Sequence, residues 1–387
     1  MYKIIISLGF LGLLTPTFSQ GINHNVQLTG QIEGMGNSKL YVGRVSDYFL
    51  NYSIVDSFDC RNDTFNFESN FQVNSNLYCL RDDMGRFLYF TPDNETICFD
   101  GHRQEFLVTS ISGSESNELM SEFWQLSFST GKEIAPLYSS LTKAKKENNL
   151  LEVDSIKSKI DSLNSIMRAL PESFIQENSQ STASAAILFI HLSQFMTDIS
   201  NQLMTDIPKL KRLYSSLDKH VQESPSGKRV KEFIKTSEDC GLGKPFIDSE
   251  LITDENEIIK ISSLKGNYFL MEFWTTWCGP CRAELPYLLQ AHEKYHANGF
   301  EILSISLDHS KETWMNVIEE QNAPWIHTTI SGEEESNKYD PFESEIAKAY
   351  AVLGVPSNYL INPDGIIIAS GLRRNVLLEK LAEIYAE

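Results

Sequence analysis

Tyr268-Phe269-Leu270-Met271-Glu272-Phe273-Trp274 runs without a break into Thr275-Thr276-Trp277-Cys278-Gly279-Pro280-Cys281-Arg282. The first seven residues are bulky and apolar apart from one acid, which reads as a buried strand. A helix is expected to begin at the cysteines, so the strand feeds directly into a helix start. Two cysteines separated by two residues at such a place can close a small disulfide ring. The N-terminus of a helix carries partial positive charge and free N–H groups, and both stabilise a thiolate. That arrangement lowers the pKa of an exposed first cysteine below the ordinary thiol range. Such a thiolate attacks a disulfide, a mixed disulfide forms, and a second thiol resolves it. Cys278 fits the nucleophile, and Cys281, one helical turn deeper, fits the resolving thiol.

A structural metal pair is the competing reading of the same spacing. A structural zinc site takes four ligands, generally from a second Cys/His pair at short spacing. No second pair exists here. His24, His102, His191, His220, His292, His296, His309 and His327 stand singly and show no ligand spacing. No metal and no cofactor is therefore expected.

Outward from the dithiol, Phe300 to Leu307 reads as the next strand and Lys311 to Gln321 as a helix. A further helix is expected over Phe342 to Ala351. Asn358 to Ile361 and Ile366 to Ser370 read as a hairpin across Asn362-Pro363-Asp364-Gly365, and Asn375 to Ala386 closes the chain with a helix. Alternating strands and helices predict an α/β domain over residues 238–387.

This stretch resembles thioredoxin, and more closely the TlpA/ResA-like family of exported thiol–disulfide oxidoreductases. The likeness is carried by Leu242-Gly243-Lys244-Pro245-Phe246, Leu264-Lys265-Gly266, Cys281-Arg282-Ala283-Glu284-Leu285-Pro286, Gly354-Val355-Pro356-Ser357 and Tyr359-Leu360-Ile361-Asn362-Pro363-Asp364-Gly365. The resemblance implies a thioredoxin-like fold and disulfide exchange with protein substrates. It implies that Val355-Pro356 is a cis-proline loop facing the dithiol and pairing with the substrate backbone. It further implies a membrane thiol carrier as electron donor, with cytochrome c maturation or upkeep of exported thiols as settings. Glu272 matches the buried acid of thioredoxins, and Glu284 the acid that ResA-like proteins keep near the dithiol. A carboxylate buried without a partner has a raised pKa, which suits it to take the proton from Cys281. Trp277 is expected to shield the thiolate and offer a contact surface, while Trp274 reads as core. Gly279 and Pro280 tune the ring and its potential, and their combination is that of reducing thioredoxins.

Residues 22–112 read as β-rich, with short runs such as Val26–Gly30, Ser38–Val42 and Thr64–Phe67 between turn signals, and suggest a small antiparallel sandwich. Residues 113–237 change to helical period. Val153, Ile156, Ile160, Leu163, Met167 and Leu170 recur at steps of three and four, and Ile134, Leu137, Tyr138 and Leu141 do the same on an earlier helix. Ser181 or Thr182 caps a third helix. Cys60, Cys79, Cys98 and Cys240 are read as structural disulfides or buried thiols, with the pairing left open.

Lys3 followed by the apolar run Ile4 to Leu14 and by Thr17 and Ser19 has the form of a secretory signal over residues 1–19. The mature chain is expected in the periplasm. A net charge of −19 argues against a nucleic-acid partner. No residue pattern sets an oligomeric state. Two other functions compete with disulfide reduction. A peroxiredoxin-like peroxidase would use Thr275 three residues before Cys278, but its expected proline is Met271. A redox-silent binding protein would act through its N-terminal half, but both Cys278 and Cys281 are present.

Overall fold

The computed structural model describes residues 23–45, 52–72, 77–196, 207–330, 342 and 344–385. The expected signal at 1–19 lies outside the described residues. No helix among those described is long and apolar enough to cross a membrane.

Among the described residues eight strands come first: β1 (Asn23–Glu33), β2 (Ser38–Val45), β3 (Tyr52–Cys60), β4 (Thr64–Gln72), β5 (Tyr78–Arg81), β6 (Phe87–Phe90), β7 (Thr96–His102) and β8 (Ser110–Ser112). They form two four-stranded sheets, ordered β4-β1-β7-β8 and β3-β2-β5-β6. Alternate residues of both sheets meet in one core, including Leu28, Ile32, Leu40, Val42, Phe71, Phe90, Ile97 and Phe99. One pair departs from the antiparallel expectation: β1 and β7 run parallel, Gln27 opposite Thr96 through Glu33 opposite His102. Local turn signals report hairpins between neighbours, but this pairing joins segments far apart in the chain.

Among the described residues six helices follow: α1 (Glu115–Lys146), α2 (Leu150–Glu177), α3 (Thr182–Met196), α4 (Ile207–Ser216), α5 (Lys219–Gln222) and α6 (Pro225–Asp239). Gly113, at φ +109, turns the chain from β8 into α1, and a Cβ there would lie 2.3 Å from the Thr96 carbonyl oxygen, so only glycine fits. Ser114 then caps α1 by accepting from the Asn117 N–H, and Asn149 caps α2 by accepting from Glu152. The Val153–Leu170 stripe of α2 faces inward, with Val153 and Ile160 buried. Tyr138 does not share the face read for it, being 52% exposed on α1. Ser224 and Pro225 start α6 as cap and first helical residue.

The described residues of the last part hold one seven-stranded sheet, ordered β10-β9-β13-β12-β11-β14-β15. Its strands are β9 (Glu250–Thr253), β10 (Ile258–Lys260), β11 (Tyr268–Trp274), β12 (Phe300–Ser306), β13 (Ile326–Thr329), β14 (Ser357–Ile361) and β15 (Ile367–Ser370). Helices α7 (Gly279–Tyr295), α8 (Lys311–Gln321), α9 (Glu345–Ala349) and α10 (Asn375–Tyr385) connect and cover it. β11 pairs parallel to β12 and antiparallel to β14, which makes it the central strand. This is the thioredoxin-like fold expected of the region. Period-two alternation sends Phe269, Met271 and Phe273 to one face. Leu270 goes to the other, where it packs with Leu288 and Ala291 of α7 and Leu377 and Leu381 of α10. Glu272 shares that second face by parity.

The helix expected over Phe342–Ala351 is shorter. Ser344 caps it by accepting from the Ala347 N–H, and Ala351 at φ +48 has already left the helical region.

Candidate active site

Cys278 and Cys281 are joined as a disulfide, with their Cα atoms 5.3 Å apart. Cys278 is the N-cap of α7, and its Sγ receives the backbone N–H of Cys281 at 3.1 Å. A free helix N–H aimed at that sulfur, with the dipole behind it, favours a thiolate there once the bond is reduced. The sulfur also lies 3.6 Å from the Val355 carbonyl oxygen.

The expected exposure of Cys278 is not met, because the residue is 4% exposed and Cys281 8%. The bridge is turned toward the Val355 loop and lies against Trp274, Trp314 and Ile318. Its rim is open all the same. Trp277 is 69% exposed, Gly279 and Pro280 are exposed, and a Cβ built on Gly279 or on Gly354 would meet no atom within 4 Å.

The strand-to-helix turn is held from below by Asp308, just beyond β12. Its carboxylate accepts the Thr276 N–H at 2.9 Å, the Thr276 hydroxyl at 2.8 Å and the Ser306 hydroxyl at 2.8 Å. The Leu307 N–H donates to the Trp274 carbonyl, extending the β11–β12 ladder up to this point.

Val355–Pro356 is cis, as the resemblance implied. This dipeptide joins two sets of groups. Its Val355 carbonyl faces Cys278, while its Pro356 carbonyl accepts from the Arg373 guanidinium. Arg373 also interacts favourably with both Glu272 and Glu284, and these charges oppose the lowering of its pKa by burial. The turn that carries it is fixed by Asn358, whose side chain donates to the Leu372 carbonyl and accepts the Leu372 N–H.

Glu272 and Glu284 are both buried, at 8% and 9% exposure. Glu284 is therefore not a surface acid; its Oε2 accepts the Arg374 N–H at 2.8 Å. Glu272 sits opposite Ser304 across the parallel pair and accepts its hydroxyl at 2.8 Å. Burial pushes the Glu272 carboxyl up to about 7, against the lowering effects of Ser304 and Arg373, and Glu284 adds to the rise.

Sequence reading missed Asp308, Arg373 and Asn358. Asp308 and Arg373 meet their partners 32 and 17 positions away, and a lone acid or arginine in a turn gives no periodic signal.

Residues 242–370 match the model of the AhpC/TSA family. Residues 26–120 match a domain of unknown function, DUF4369. The thiol-disulfide oxidoreductase ResA of Bacillus thuringiensis is 29% identical over 119 residues, covering 30% of this chain and 62% of that protein. ResA of Bacillus subtilis is 30% identical over 112 residues, 28% of this chain and 55% of that one. The chain thus spans about three fifths of the length of the first of these relatives. Among solved structures, the thioredoxin domain of a thiol-disulfide oxidoreductase from Bacteroides vulgatus is 26% identical, covers 38% of this chain and 99% of its own, and has a TM-score of 0.34.

Proposed function

We propose that this chain is a thiol–disulfide oxidoreductase that reduces protein disulfides through Cys278 and Cys281, and that it works outside the cytoplasm. The observation that carries the reading is the Cys278–Cys281 disulfide at the start of α7, opposite the cis Val355–Pro356 loop. In the reduced protein the Cys278 thiolate, held by the Cys281 N–H, attacks one sulfur of a substrate disulfide. A Cys278–substrate bond forms, and the substrate bond breaks to release one thiolate. Glu272, with Glu284 beside it, takes the proton from Cys281. The Cys281 sulfur then attacks Cys278 Sγ, closing the disulfide seen here and releasing the second substrate thiol. Two electrons pass from the dithiol to the substrate.

The Val355 backbone pairs with the substrate chain, Trp277 offers it an apolar surface, and Gly279 and Pro280 tune the ring. Re-reduction needs an external dithiol, for which a membrane thiol carrier is the proposed donor. The Lys3–Ser19 pattern supports an exported, periplasmic site of action.

Reduction of insulin disulfides by the reduced protein tests the activity. Turnover of insulin without consumption of hydrogen peroxide is the expected result. Peroxide consumption alone would replace the reading by a peroxidase, and failure of both would favour a redox-silent binding protein. Cys281→Ser in the native host is expected to hold Cys278 in a mixed disulfide with its substrate, identifiable by mass spectrometry.

A further inference from the structure

At the far end of α7, some 14 residues from Cys278 and so about 21 Å along the helix axis, a second group of side chains converges. His292 and His296 are four residues apart and share one face of the helix and its 3-10 extension. Their rings stack with centroids 4.3 Å apart. The chain then reverses at Gly299, φ +90, and enters β12, which brings Glu301 onto the same spot. One Glu301 oxygen lies 3.2 Å from His292 Nε2 and the other 3.6 Å from His296 Nδ1. A ring nitrogen of each histidine and a carboxylate oxygen all lie within 4.8 Å of one another.

We propose that His292, His296 and Glu301 bind a zinc-type divalent cation that clamps the end of α7 to the start of β12. Tetrahedral zinc with ligands at 2.0–2.1 Å places neighbouring donor atoms about 3.3–3.4 Å apart. The two nitrogen–oxygen separations, one to each carboxylate oxygen, bracket that edge, and binding requires the stacked rings, 22° apart in plane, to turn so that both nitrogens aim at the ion. Two imidazoles and one carboxylate suit zinc, and not calcium or magnesium, which take oxygen ligands.

Glu301 is already oriented by its surroundings: the Ile302 N–H donates to its Oε1 at 2.8 Å. His296 Nδ1 lies 3.2 Å from the Phe300 carbonyl oxygen, a contact this nitrogen gives up on taking the ion. His292 is 5% exposed and lies against the Trp325 ring at 5.9 Å. The His296 side chain is 55% exposed, which supplies an entry path and room for water as a fourth ligand. The sequence reading passed over the group because its third member comes from the next strand, beyond a turn.

The site is remote from the dithiol, so its test is independent of the redox reading. The full chain is kept oxidised, which leaves the Cys278–Cys281 sulfurs bonded to each other and unable to bind metal. Zinc chloride titrated by calorimetry is expected to bind at one equivalent. Cobalt(II) is expected to give the visible d–d absorption of a tetrahedral site, displaced by zinc. His296→Ala and Glu301→Gln are each expected to weaken binding at least about tenfold, with unchanged circular dichroism and unchanged insulin reduction. His296→Gln repeats the test should His296→Ala alter the fold. Absence of one-equivalent binding overturns the proposal. So does binding that these variants leave at wild-type strength, which would place zinc elsewhere and leave the cluster as plain hydrogen bonding.

Discussion

Glu272 is the residue whose environment makes the sharpest demands. Its carboxyl is raised from an ordinary 4.5 to about 7 by burial, the largest cause. An acid with a raised folded-state pKa ionises first in the unfolded chain, so folding stability falls as pH climbs from about 4.5 to about 7. Glu272→Gln keeps an acceptor for Ser304 and removes that penalty. The variant is expected to be more stable than wild type by on the order of 3 kcal/mol at pH 8. Urea unfolding at several pH values should show the gap closing below about pH 4, and a pH-independent gap would contradict the assignment. The same substitution is expected to slow closure of the Cys278–Cys281 bond by about 10²-fold and to abolish an inflection near pH 7 in its rate. Wild-type rates in both Glu272→Gln and Glu284→Gln would remove the carboxylates from the mechanism. Trp277, 69% exposed, contributes little to packing. Trp277→Ala is expected to raise KM for insulin several-fold while leaving stability within about 0.5 kcal/mol.

At the scale of elements, the turn between β11 and α7 decides whether the dithiol is presented correctly, and Asp308 holds that turn. Asp308→Ala leaves the Thr276 N–H, the Thr276 hydroxyl and the Ser306 hydroxyl without their buried acceptor. A loss of about 2–4 kcal/mol is expected by chemical denaturation, with Asp308→Asn losing less because one acceptor oxygen survives. Equal losses for the two would argue against the hydrogen bonds as the cause. The elements beside this turn were legible in the sequence because each carries a periodic or end signal. β11 is a run of large apolar residues, the α7 start is marked by its cysteines, and α8 occupies Lys311–Gln321 as expected. β9, β10 and β13 were not legible. They have three or four residues each, and Ile326-His327-Thr328-Thr329 shows no apolar alternation. The site was readable where chemistry fixes spacing along the chain, as at Cys278-Gly279-Pro280-Cys281. It was unreadable where the partner arrives through the fold, as with Arg373 on the Pro356 carbonyl.

Across the whole molecule, the β-sandwich and the helices are joined by a buried polar contact. Asn117 of α1, fully buried, accepts the Thr91 N–H and donates to the Thr91 carbonyl and to Asp93. Asn117→Ala is expected to cost about 2–3 kcal/mol and to lower the melting temperature in calorimetry; an unchanged transition would show the contact to be dispensable. The remaining cysteines are spread over these same parts, and all four are free thiols. Cys60, Cys79 and Cys240 are buried; burial raises all three, Cys79 to about 12 and Cys240 to about 11. Such thiols hold almost no thiolate at neutral pH and are poor nucleophiles. An aromatic disulfide reagent applied to the native oxidised protein should therefore titrate Cys98 at most, and all four only after unfolding. The consequence is a kind of immunity: three of the four spare sulfurs are kept mute by burial, so under the proposed exchange chemistry none of these three competes inside the molecule for the electrons of the Cys278–Cys281 pair.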